Sequence, residues 1–248
     1  MPETCGMILR AAGSIAAALS VLLLARTVYE KLPACWLCEY DEQPWEMHMP
    51  GFRGLHGKGL YAALFMVMVV SFSDIQIEVH ESRLGFMIIL SRLTCAAAIC
   101  VCAVAISLSD IDYMIVPDQL VTVIGGCAVI MGLVGSASAF LFTEAAFSDC
   151  VKSIFSEVLF GAAAGTGLML LSSAMGLLTG KGAACGFGDV KLMAVCGAVA
   201  GEKVFIMYIL MAVMSGLYFC IGVVAGKIRY GSGQPLAPWI CVAMMLCM

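Results

Sequence analysis

Charge is what this chain lacks. Only 12% of its 248 residues are Asp, Glu, Lys or Arg, about half the share of an ordinary soluble domain. A chain so poor in charge cannot cover a soluble enzyme with a polar surface, and with 62% hydrophobic residues it cannot be disordered. Thirteen basic residues against seventeen acidic ones leave a net charge of -4. That balance excludes a basic nucleic-acid-binding face, a polybasic membrane patch and an acidic tail. Long polar stretches are also scarce, and no internal repeat or low-complexity tract breaks the pattern.

What fills the chain is a series of apolar windows, at about 7–25, 59–73, 86–109, 119–142, 154–179, 190–200, 203–226 and 235–248. A membrane-spanning helix needs about 20 such residues. The sequence therefore predicts an all-α, polytopic membrane protein of six to eight transmembrane helices embedded in a lipid bilayer. The windows at 59–73, 190–200 and 235–248 are short for full spans. Gly201-Glu202-Lys203 reads either as a tight hairpin or as a break in one long helix.

The first window lacks a small-residue cleavage site, because Ala25 is followed at once by Arg26, so it reads as a retained helix over 1–25. Residues 26–58 then form the one polar loop, and 59–248 a membrane-embedded domain. With the N-terminus outside, eight Lys and Arg residues fall in inside loops and five outside, the bias expected of cytoplasmic loops. Thirteen cysteines are no disulfide scaffold here. Cys95, Cys100, Cys102, Cys127, Cys196, Cys220, Cys241 and Cys247 lie in apolar stretches, where cysteine packs as a small hydrophobe.

Ionisable groups near the hydrocarbon cost a few kcal/mol each on insertion scales and need a reason. Two stretches hold them: Ser109-Asp110-Ile111-Asp112 with Pro117-Asp118 downstream, and Gly186-Phe187-Gly188-Asp189-Val190-Lys191. The inferred topology puts Asp110 and Asp189 at the same, cytoplasmic, edge. Two carboxylates meeting in a low dielectric do not both ionise easily, so one holds a proton while the other acts as a base. Such a pair can hydrolyse a peptide bond. Gly186 and Gly188 remove side chains beside Asp189 and permit positive φ, which would let an extended substrate backbone approach. Simpler readings stand beside these: Asp118 as a helix N-cap, Asp112 as a solvated interfacial residue, and Lys191 as a flanking charge rather than a partner of Asp189. A small ion-coupled transporter using Asp110 and Asp189 is the alternative from another class.

These stretches resemble the type IV prepilin peptidase family, membrane aspartic proteases of the GxGD class. Asp110 with Pro117-Asp118 is similar to the family's first aspartate segment, and Gly186-Phe187-Gly188-Asp189-Val190-Lys191-Leu192 to its second. Pro235-Leu236-Ala237-Pro238 looks like the family's late Pro-x-x-Pro, and Lys31-Leu32-Pro33 is a weaker echo of its Arg-Leu-Pro. The resemblance implies Asp110 and Asp189 as catalytic residues at the cytoplasmic face of the bacterial inner membrane. The substrates it implies are prepilins of type IV pili or pseudopilins of protein secretion systems, cut just before their hydrophobic helix, with no cofactor required. Many members also carry two Cys-x-x-Cys pairs and N-methylate the product with S-adenosylmethionine. This chain has only Cys35-Trp36-Leu37-Cys38, so methylation is without its usual motif. Cys35 and Cys38 remain weak candidates for zinc, with His48 and His56 as the available completing ligands.

Overall fold

The structure, a computed structural model, describes residues 2–33, 36, 67–68, 83–142, 147–178, 185–226 and 234–248. Those residues form helices and the short connections between them, with no strand among them. Seven α-helices are described in full among these residues: α1 (Pro2–Glu30), α2 (Arg83–Tyr113), α3 (Asp118–Phe142), α4 (Phe147–Leu178), α5 (Phe187–Ala200), α6 (Val204–Val224) and α7 (Ala237–Cys247), with a 3-10 turn at Gly201–Lys203 between α5 and α6. Long apolar stretches form helices in a bilayer because every backbone polar group must find its partner within the segment. The polytopic all-α prediction holds. The window at 59–73 lies outside the described residues except for Val67 and Met68, which are helical, with Met68 fully buried.

The bundle is built around α2. Every residue from Ile99 to Asp110 is buried, the property of a helix that is apolar all round and enclosed by others. α1, α3 and α7 pack against it, while α5 lies among α3, α4 and α7. The outer helices turn large apolar side chains outward, as Leu159, Leu171 and Ile209 do, which suits lipid. Nine cysteines have described side chains; six of these are buried, and all nine are free thiols.

The ambiguity at Gly201 resolves as a hairpin. Lys203, at the start of α6, donates from Nζ to the Cys247 carbonyl at 3.1 Å, at the far end of α7. Further along α6, the Tyr218 ring lies 5.2 Å from that of Trp239, near the beginning of α7. Thus α6 runs antiparallel to α7, away from the end that α5 reaches. Gly201 makes the reversal with φ +56°, a conformation a side chain disfavours. At 14 residues, α5 is about 21 Å long, shorter than the roughly 30 Å hydrocarbon layer.

Where α4 meets α5, the two backbones touch. A Cβ on Gly161 would lie 2.0 Å from the Gly197 carbonyl oxygen, and one on Gly165 would lie 2.6 Å from that of Met193. Gly161 on α4 faces Gly197 on α5 and the Gly201 Cα just past its end, while Gly165, one turn on, faces the Met193 backbone. Such spacing allows close packing where lipid supplies no hydrophobic drive. This contact seats the helix that carries Asp189.

Candidate active site

The α2–α3 connection is a tight turn pinned from both sides. Its N-terminal side is the end of α2, where the Met114 N–H donates to the Asp110 carbonyl at 3.0 Å. Met114 itself stands at φ 58°, a left-handed conformation costing a non-glycine residue about 1 kcal/mol. The buried Ser109 hydroxyl lies 2.9 Å from the Ile106 carbonyl and 3.0 Å from that of Ile115, so it ties the turn back to α2. α3 then starts under the Pro117 carbonyl, which accepts from the Leu120 and Val121 N–H groups. Proline fits there because a helix start has no use for its missing donor.

Asp110 is 5% exposed. One carboxylate oxygen, Oδ2, accepts the Ala237 N–H at 2.9 Å, and the Leu236 N–H also bonds to the carboxylate. These are the free donors at the start of α7. A helix N-terminus carries unsatisfied N–H groups and a partial positive charge, both favourable to an anion. Lys203 serves the opposite end of α7 in the complementary way, so this short, almost wholly buried helix has an acid at its N-terminus and a base at its C-terminus.

Asp189 is half-buried in the first turn of α5. Its Oδ2 accepts the Gly186 N–H at 3.1 Å, so the carboxylate caps the start of its own helix. Gly188, next to Asp189, packs against Val116 in the turn that follows Asp110, so the two acids stand at the same end of the bundle, each accepting a helix-start N–H at Oδ2.

The remaining acids find other partners. Asp112 is half-buried and accepts a hydrogen bond from the Tyr29 hydroxyl of α1, which replaces the solvated role expected for it. Asp118 is the first residue of α3, but Pro117 supplies the capping carbonyl. The Asp118 carboxylate instead takes the Lys191 ammonium at 3.0 and 2.8 Å. Lys191 is thus an ion-pair partner, of Asp118 and not of Asp189, and its Nζ also lies 4.9 Å from the centre of the Phe187 ring.

The glycines of the motif differ from expectation. Gly186 has φ -76° and ψ 162°, open to any residue, and among the described residues positive φ at glycine occurs only at Gly201 and Gly226. The local reason for Gly188 is packing: a Cβ there would lie 3.2 Å from Val116 Cβ, in the α2–α3 turn. Cys35, Cys38, His48 and His56 lie outside the described residues. Among the described residues, no group of three or more His, Cys, Asp or Glu side chains could hold a metal ion.

Sequence reasoning did not find the backbone donors of Leu236 and Ala237, because a peptide N–H leaves no mark on residue identity. The Pro235-x-x-Pro238 spacing was the available signal, since proline near a helix start marks where free donors begin. It also overlooked Gly161 and Gly165, whose i, i+4 spacing on α4 was legible and which let the α5 backbone approach.

Apolar helices long enough to cross a bilayer, with two carboxylates at the same end of the bundle, define a polytopic membrane protein. The sequence model of the type IV leader peptidase family matches residues 97–221, half of the chain, and the protein belongs to that family of membrane peptidases. The matched segment contains Asp110 and Asp189 and ends before α7. No curated protein and no solved structure matches the chain.

Proposed function

We propose that the protein is an aspartic endopeptidase that removes the short basic leader from type IV prepilins or pseudopilins, with Asp110 and Asp189 as the catalytic dyad. The observation that carries this reading is the pairing itself. Two carboxylates from helices far apart in sequence stand at the same end of the bundle, each anchored to a backbone N–H. The anchoring fixes each side chain through Oδ2.

In this mechanism one carboxylate takes a proton from a water molecule as its oxygen attacks the scissile carbonyl. The other, carrying a proton, delivers it to the amide nitrogen as the C–N bond breaks. Burial of Asp110 and partial exposure of Asp189 support a site where water is limited and one acid is open to substrate. Hydrolysis of this kind draws on no metal and no S-adenosylmethionine. Methylation of the new N-terminus is a separate activity, read from the product's mass. The basic-loop bias supports a site facing the cytoplasm of a bacterial inner membrane, where the leader of a membrane-anchored prepilin lies.

The test is leader cleavage of a co-expressed prepilin by wild type, Asp110→Asn and Asp189→Asn, with membrane levels compared. Each variant should lose at least about 10²–10⁴-fold in activity at unchanged abundance, the range for removing a general acid or base. Cleavage surviving in both would remove the dyad and return the site to the ion-carrier reading.

A further inference from the structure

Outside the dyad, one seam joins the two segments that carry it. It lies between the α2–α3 turn, which follows Asp110, and the first turns of α5, which hold Asp189. Two contacts form the seam. Gly188 packs bare against Val116, with room for little more than a hydrogen. Lys191 Nζ is gripped by both oxygens of Asp118, at 3.0 and 2.8 Å. The ammonium also lies over the Phe187 ring at 4.9 Å, a cation–π contact that holds it from a second side.

Lys191 sits two residues after Asp189, about 200° round the helix, so its side chain leaves on a different face. Charge on that face turns towards α3, not towards the dyad. The pair is exposed, with the Lys191 and Asp118 side chains 39% and 62% accessible, and exposed ion pairs contribute little to folding stability. Its geometry is better suited to setting a distance. Asp118 is fixed at the first turn of α3 directly after Pro117, and Lys191 is fixed to α5. A bidentate contact between them therefore holds the α5 start at one spacing from the turn below Asp110.

We propose that Asp118 and Lys191 are positioning residues for the leader peptidase reaction: their ion pair sets the separation of Asp110 and Asp189 without either residue touching the reacting atoms. The inference rests on the dyad reading above. It also gives a spatial reason for two sequence features that lie 73 residues apart, the aspartate after Pro117 and the lysine after Asp189.

The experiment measures kcat and KM for prepilin leader cleavage by the purified full chain in detergent, per folded enzyme. The variants are Asp118→Lys, Lys191→Asp, the double reversal Asp118→Lys/Lys191→Asp, Asp118→Asn and Asp189→Asn. Each single reversal should lower kcat about 10–100-fold, since misplacing a reacting group by an ångström costs on that order, with KM within about twofold. The double reversal should recover kcat to within about threefold of wild type. Asp118→Asn should fold as wild type and lose less than Asp118→Lys, because the amide oxygen still accepts from the ammonium. Wild-type kcat in the single reversals, an equal loss in single and double reversals, or an effect confined to KM would each overturn the pair's role. Asp189→Asn separates this from the underlying reading. If that variant cleaves, the dyad falls and the positioning role with it; if it is dead while the reversals are fully active, only the positioning role has failed.

Discussion

The two aspartates are housed in opposite ways. Asp189 is held by its own chain neighbourhood: a glycine N–H three residues back, in the first turn of its own helix, and half-open surroundings. Asp110 is enclosed, and its donors come from Leu236 and Ala237, on a helix it meets only in the folded bundle. The local arrangement needs only the chain's own turn. The remote one depends on every contact that seats α7, from the Lys203 bond at its far end to its buried side chains. Of two like groups at one site, one is therefore robust to distant change and the other is exposed to it.

Substitutions can break this contrast in graded steps. The largest effect is expected from Gly161→Val, which drives a Cβ into the Gly197 carbonyl and unseats the helix carrying Asp189. Overpacking of this kind costs at least about 1–3 kcal/mol, so the protein should fall in membrane abundance and melt earlier, as immunoblotting and thermal unfolding in detergent would show. Local housing does not protect Asp189 if its whole helix moves.

Ala237→Leu should come next and act on Asp110 alone. Ala237 is fully buried while its N–H holds the carboxylate. A larger side chain displaces the donor, and leader cleavage should drop about 10-fold or more with abundance reduced far less. An equal fall in both would mean that α7 matters for folding and not for orienting Asp110.

The two motif glycines give the smallest and sharpest contrast. Gly188→Ala meets Val116 at 3.2 Å and should slow cleavage several-fold, near the 1.4 kcal/mol that corresponds to a tenfold change. Gly186→Ala meets only Asp189 Oδ2 at 3.7 Å, in a backbone conformation that alanine shares, so its abundance and melting temperature should be unchanged. A normal cleavage rate would then show that the position is free. A large loss at full stability would make Gly186 the point where substrate passes.

Much of the fold was legible in the windows of hydrophobicity. Seven of the eight apolar segments coincide with helices, because in a bilayer the apolar run and the need to satisfy the backbone internally lead to the same structure. Boundaries moved where polar residues extend a helix past the apolar run, as α1 does to Glu30. The positive-φ expectation at Gly186 and Gly188 failed because glycine identity records freedom without saying how it is used. At Gly188 it is used for contact with Val116, and at Gly201 for the reversal between α5 and α6. The partners of Asp112 and Lys191 were missed for a shared reason: the hydroxyl of Tyr29 and the carboxylate of Asp118 belong to other helices, and a partner across a packing interface has no signature in local spacing.

By itself, the sequence determined that this is a helical membrane protein, where its apolar helices lie, and which two short acidic stretches stand at the edges of those helices. Those properties follow from hydrophobic length and the cost of charge, which are summed along the chain. Only the tertiary structure decided that Asp110 rests on the start of α7, that Asp118 takes Lys191, and that α4 and α5 meet backbone to backbone. Each depends on which helix faces which, and lipid-facing and protein-facing apolar surfaces are written in the same residues. Small residues, free helix-end donors and single charges decide the matter once the helices are side by side.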